Sequence, residues 1–209
     1  MHALKYRKLE DDPRREIEML QAACHPNVVE LLQFYPPYLH RRATVLAFLG
    51  ADCGLSDVLH RRVGLGPDEQ LSDSTRRGVA VQLLAALGHV HSRRMIHRDV
   101  KPANILLRFG EPLEICRTAS GEQIPCYLRM QLADFSRARW LPISNPWLRR
   151  RGVAPFFERQ SVVRQEVLST RLTTAVYLAP EVASKARCSK SVDIWAFVGT
   201  DARSEVQEG

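Results

Sequence analysis

The stretch His97-Arg98-Asp99-Val100-Lys101-Pro102-Ala103-Asn104 decides how the rest of the chain is read. Within eight residues it gathers an imidazole, a guanidinium, a carboxylate, an ammonium and a carboxamide, with Asp99 and Asn104 five positions apart. Just before it, from about Ser74 to His91, apolar residues at Val79, Leu83, Leu87 and Val90 keep a helical spacing, which predicts a long helix. Just after it comes the apolar run Ile105-Leu106-Leu107. A cluster of charged and amide groups between two apolar segments is a candidate site on a rigid support.

Toward the N-terminus, Asp11-Asp12-Pro13 followed by Ile17, Leu20 and Cys24 predicts a capped helix over about 13–23. The apolar runs at 28–32 and 43–48 predict strands of a small sheet, joined by a proline-containing connection. Toward the C-terminus the chain reads as irregular, with loops at about 109–128 and 140–168, before apolar order returns at Val192 to Val198. Strands come first and helices later, the order of an α+β chain.

Composition narrows the function classes. With 209 residues, 45% hydrophobic and 25% charged, 11 Gly and 12 Pro, the chain reads as globular, with one domain or two small ones. Charges occupy the place of a signal-peptide core, and no apolar run approaches the roughly 20 residues of a membrane span, so no membrane association is expected. Five scattered cysteines without a Cys-x-x-Cys pair point to a reducing cytoplasmic or nuclear compartment. The net charge is +7, yet Phe135 to Arg171 holds eight arginines against two glutamates, a local +6. The basicity belongs to one segment and not to a stripe with interleaved aromatics, so nucleic acid is not the expected partner.

The string at 97–104 resembles the catalytic loop H-R-D-x-x-x-x-N of eukaryotic protein kinases. Three further segments follow in the family's order. Ala133-Asp134-Phe135-Ser136 resembles D-F-G with serine in the glycine position; Thr174 to Glu181 resembles the substrate-positioning loop ending in A-P-E; Val192 to Phe197 resembles the start of a buried central helix. Upstream, Ala3-Leu4-Lys5 is similar to the V-A-I-K strand, and Arg15 to Leu20 with His25-Pro26-Asn27-Val28-Val29 resembles the helix and strand of cyclin-dependent kinases.

The resemblance implies a serine/threonine protein kinase, nearest the cyclin-dependent group, that moves the γ-phosphoryl of ATP with Mg²⁺ to a protein hydroxyl. By it, Asp99 meets the attacking hydroxyl, Lys101 approaches the transferred group, and Asn104 and Asp134 bind metal. Lys5 pairs with Glu16, preferred to Glu18 because it shares a face with Leu20, and together they hold phosphates. Phe48 and Leu49 fall at the adenine hinge, where they equally suit an ordinary core. Phe135 packs under the helix of Glu16, and Asp193 accepts from the catalytic-loop backbone or acts as a plain helix cap. Ser136, lacking glycine's freedom, narrows the hinge conformations. The arginine-rich segment becomes an activation loop, with Ser169 or Thr170 as phosphorylation site just ahead of Thr174 and Arg98 as phosphate partner. The polar stretch 117–123 reads as a surface insertion.

The implied fold is bilobal: a partial small lobe and hinge over 1–50, a partial large lobe over 51–198, and a non-family tail over 199–209. The small lobe lacks the glycine-rich strands, and the large helical lobe is truncated after the start of its central helix, as in a fragment or mis-spliced frame. Glu181 then loses an arginine partner and stands as an uncompensated buried carboxylate. Leu178 replaces the arginine usual before A-P-E in the cyclin-dependent group, so a cyclin-like regulatory subunit stays open. The alternative is a truncated or pseudokinase-like binding module without catalysis. The missing lid and Ser136 favour it; the intact Asp99, Asn104 and Asp134 oppose it.

Overall fold

A computed structural model describes residues 3–7, 14–38, 41–47, 51–60, 72–117, 120–121, 123–141, 177–183 and 189–205. Its first sheet has three antiparallel strands in the order β1 (Ala3–Arg7), β3 (Arg41–Ala47), β2 (Glu30–Tyr38). Between β1 and β2 runs helix α1 (Arg14–Ala22), one residue short of the expected 13–23 at each end. The predicted proline connection is not one. Pro36 and Pro37 lie within β2, where the register shifts between Tyr35 and Tyr38, a local irregularity that accommodates residues without a ladder N–H.

The chain then passes through β4 (Cys53–Gly54) and the short helix α2 (Leu55–Leu59), where the Asp57 carboxylate accepts from Gly54 N at 3.1 Å. Helix α3 (Asp73–Ser92) begins at Ser72, whose side chain accepts from Thr75 N, and buries Val79, Leu83, Ala86, Leu87 and Val90. These residues, with Met19 and Leu20 of α1, form the main core. Each fully buried aliphatic side chain there contributes roughly 1.5 to 3 kcal/mol relative to exposure.

The largest departure from the sequence reading lies beyond Asn104. The expected loop at 109–128 is a long antiparallel hairpin, β6 (Ile105–Arg117) against β7 (Gln123–Leu132). The polar stretch 117–123 joins the two strands. The irregular signal came from Gly110, at φ +82°, which sits in a register break between Phe109 and Glu114, and from Pro112 and Pro125. The period-2 alternation of Leu128, Met130 and Leu132, all buried, is the strand signal that these breakers masked. Strands therefore continue into the second half, and a two-residue pair joins β5 (Met95–Ile96) to β8 (Arg139–Trp140).

After β8 come α4 (Pro180–Ala183) and α5 (Ser191–Glu205). The helix does not break off after Val198: it runs on to Glu205, and Thr200 turns its hydroxyl to Ala196 O at 2.8 Å. Glu181 is half-buried, not fully buried, and accepts from Ser191 Oγ at 2.7 Å, which holds its carboxyl below the ordinary range. A hydroxyl supplies a donor there, so the expected uncompensated buried carboxylate does not arise.

Candidate active site

Residues 97–104 leave β5 as a loop that ends in a 3₁₀ turn at Pro102–Asn104 and feeds directly into β6. Its backbone is anchored from below by Asp193 of α5, which is fully buried. The Asp193 carboxylate accepts from His97 N at 2.9 Å and Arg98 N at 2.7 Å, and from His91 Nε2 at 2.8 Å. Two consecutive N–H groups thus share one carboxylate. This offsets the left-handed backbone of Arg98, φ 69°, a conformation that costs of order 1 to 3 kcal/mol for a residue with a side chain. His91, at the end of α3, escaped the sequence reading because a histidine in a helix's last turn looks like an ordinary end residue.

His97 is a fully buried member of the loop. Its Nε2 donates to Ala133 O at 3.1 Å, its Nδ1 accepts from Asp99 N at 3.3 Å, and its ring meets Phe135 edge-on at 4.8 Å. Burial lowers its pKa from 6.5, partly countered by the Asp193 charge, so the ring is a neutral spacer between the loop and the 133–137 segment.

On the opposite face of the loop stands Asp99, 5% exposed. Lys101 Nζ donates to its Oδ2 at 2.9 Å, and Asn104 Nδ2 donates to the same oxygen at 3.0 Å and to Asp99 O at 2.8 Å. Arg137 Nη1 reaches Oδ1 at 3.4 Å. The spacing of five thus has a local cause: the 3₁₀ turn brings the carboxamide back under the carboxylate. With both Asn104 N–H contacts spent on Asp99, Asn104 Oδ1 is the acceptor left for a hard cation.

Asp134 has left-handed backbone angles, φ 65° and ψ 71°, and its Oδ1 accepts from Ser136 N at 3.3 Å. The following 3₁₀ turn, Phe135–Arg137, is pinned by Phe135, which is completely buried in the main core with Met19 and Leu20 of α1. The positive φ therefore falls on Asp134 and not on Ser136. Serine pays no Cβ penalty in this turn, and the expected narrowing at position 136 has no backbone cause here.

Glu16 lies in the first turn of α1 and is 2% exposed; Lys5 stands in β1 opposite Thr44 of β3. Behind the site a buried polar network ties three elements together: Gln82 of α3 donates to Leu128 O at 3.0 Å and accepts from Met130 N and Asn27 Nδ2, each at 2.8 Å. Gln82 reads in sequence as an ordinary helix residue; the main-chain groups of Leu128 and Met130 on β7 are what it serves. Phe48, Leu49, Ser169, Thr170 and Thr174 lie outside the described residues. Among the described residues no group of three or more His, Cys, Asp or Glu side chains gathers for a metal.

The protein kinase domain family matches residues 2–199 of the chain. The chain belongs to the protein kinase domain family. It is 28% identical over 184 residues to the serine/threonine-protein kinase TIO of Arabidopsis thaliana, covering 88% of this chain and 10% of that protein. Serine/threonine-protein kinase 36 of Mus musculus is 25% identical over 183 residues, with 88% and 10% covered. The cyclin-dependent kinase F-3 of Oryza sativa subsp. japonica is 26% identical over 183 residues, with 87% and 31% covered, so the cyclin-dependent group stands among several kinds of relative. The chain spans about a tenth to a third of the length of these relatives. No helix among the described residues is long and apolar enough to cross a membrane.

Proposed function

We propose that this kinase domain is a serine/threonine protein kinase that transfers the γ-phosphoryl group of ATP to the hydroxyl of a protein side chain. The observation that carries the reading is the Asp99, Lys101 and Asn104 unit: a buried carboxylate held by an ammonium and a carboxamide, with the amide oxygen left over. In the transfer, the acceptor oxygen bonds to the γ-phosphorus while the bond from that phosphorus to the β-phosphate bridging oxygen breaks. ADP leaves, and the acceptor proton passes to the Asp99 carboxylate. Lys101, two residues on and held at 2.9 Å from Asp99, is proposed to steady the transferred group.

Asn104 and Asp134 fit Mg²⁺, which is commonly held by one or two protein oxygens with phosphates and water completing the shell. The chemistry a bound Mg²⁺ supplies is neutralisation of charge on the β- and γ-phosphate oxygens. Lys5 with Glu16 is proposed to hold the α- and β-phosphates, and Phe48 with Leu49 to flank the adenine. Arg98, whose Nε is buried without a hydrogen-bond partner among the described residues, is proposed to receive a phosphate on Ser169 or Thr170. A cyclin-like subunit is proposed on the resemblance of residues 15–29 to the cyclin-dependent group and on the rice relative's name. Cys24 and Cys53 are free thiols, which suits a cytoplasmic or nuclear protein.

A second reading, a binding module without catalysis, is favoured by one observation: both Asp99 oxygens already have donors. Transfer of radiolabelled γ-phosphate to a generic protein substrate, with Asp99→Asn beside the unaltered chain, separates the two. Label transfer that falls about 10²- to 10⁴-fold in the variant supports the kinase reading. Transfer absent from the unaltered chain while MgATP still binds favours the module; transfer unaffected by the substitution removes Asp99 from the role of base.

A further inference from the structure

Asp99 Oδ2 is held from within its own loop, by Lys101 and Asn104. Oδ1 is covered from outside it, by Arg137 Nη1 at 3.4 Å, the longest contact the carboxylate makes. The Arg137 side chain is 24% exposed while that of Asp99 is 4% exposed, so the guanidinium reaches in from the solvent side onto the one oxygen the loop leaves open. A general base needs its substrate proton within about 2.6 to 3.2 Å of heavy-atom distance. An acceptor hydroxyl and Arg137 therefore compete for Oδ1.

The turn that carries Arg137 is fixed, because Phe135 is wholly buried and Ser136 N is tied to Asp134. Only the side chain is left to move. A long, part-exposed ion pair of this kind is weak and exchanges readily. A guanidinium has five N–H donors in a planar fork suited to a carboxylate or phosphate, and Nη1 uses one here.

We propose that Arg137 is a specificity-determining residue: it caps Asp99 in the free protein and is drawn off by an anionic group beside the acceptor hydroxyl, so the kinase selects acceptors flanked by a carboxylate or a phosphate. The inference rests on the reading of Asp99 as the acceptor-side base. It turns the apparently blocked carboxylate into a lock that the right substrate opens, with the anion taking the guanidinium and the hydroxyl taking Oδ1.

The test uses the chain, Arg137→Gln and Arg137→Lys, with MgATP and three peptides identical except for the residue beside the acceptor serine: Gln, Glu or phosphoserine. The unaltered chain is expected to favour at least one anionic peptide by about tenfold or more in kcat/KM over the Gln peptide. Arg137→Gln brings that ratio to about one, and Arg137→Lys restores part of it. The Glu and phosphoserine arms identify the anion. An unaltered chain without preference, or a preference that survives Arg137→Gln, overturns the proposal. Peptide binding by fluorescence anisotropy in the presence of MgATP reads the same ratio without chemistry. No transfer with an Arg137-dependent binding preference defeats the kinase reading alone; transfer with no such preference defeats this inference alone.

Discussion

The two sides of the 97–104 loop each hold a buried aspartate, and they differ in what satisfies it. Below the loop, Asp193 takes two backbone N–H groups and a helix-borne imidazole, donors that cannot leave without unfolding the loop. Above it, Asp99 takes an ammonium, a carboxamide and a guanidinium, all on side chains that can turn away. The same chemical group is thus a structural anchor in one place and an exchangeable site in the other. Burial alone does not tell the two apart; the mobility of the donors does.

Replacing Asp193 with Ala is the harshest way to probe that contrast. It leaves His97 N, Arg98 N and His91 without their acceptor, and a loss of about 3 to 5 kcal/mol in urea-unfolding stability is expected. Asp99→Asn, by contrast, keeps the side-chain volume and sits beside part-exposed cations. Its stability should move by about 1 to 3 kcal/mol, less than in Asp193→Ala, while turnover collapses. If the two substitutions destabilise equally, the division between anchor and site is wrong.

Gln82→Ala tests the support behind the site. It orphans Met130 N and Leu128 O, and chemical denaturation should report a loss of about 1 to 3 kcal/mol. The smallest effect belongs to Ser136→Gly. With no positive φ to relieve, glycine only adds backbone freedom, so the change should be a destabilisation of about 0.5 to 1 kcal/mol in thermal unfolding. A gain in stability there would mean the turn is strained in a way its angles do not show.

The pH response sharpens the same picture. His97 is neutral in the fold because burial lowers its pKa from 6.5, so below 6.5 the unfolded chain binds a proton that the folded chain refuses. Its contribution is therefore present above 6.5 and lost as the pH falls toward the folded value. His25, lowered by burial and by His89, adds a slope of the same sign. Unfolding midpoints measured from pH 8 down to pH 5 should decline, and less steeply in His97→Gln, which keeps the His25 share. Equal slopes would remove His97 from the account.

The sequence made the local features legible and hid the long-range ones. Helices α1 and α3 announced themselves by apolar spacing and end residues, and 97–104 by five polar groups in fixed order. The hairpin β6–β7 did not, because Gly110, Pro112 and Pro125 interrupt its alternation and its pairing spans more than twenty residues. Asn27 and Gln82 meet across 55 positions, and nothing local marks either as a network member. Arg137 is one arginine among eight in its segment, and only the turn fixed by Phe135 sets it on Asp99. Glu181 needed Ser191, ten positions away, to be explained.

The most direct measurement of the central claim is the thermal shift produced by MgATP in Asp99→Asn and Asp134→Asn, read side by side with the unaltered chain. At 100 times Kd a bound ligand adds about 2.7 kcal/mol of stability. If Asp134 serves the metal and Asp99 the acceptor, Asp99→Asn keeps that shift and Asp134→Asn loses most of it. Equal loss in both variants, or no shift in the unaltered chain at millimolar nucleotide, would contradict the account.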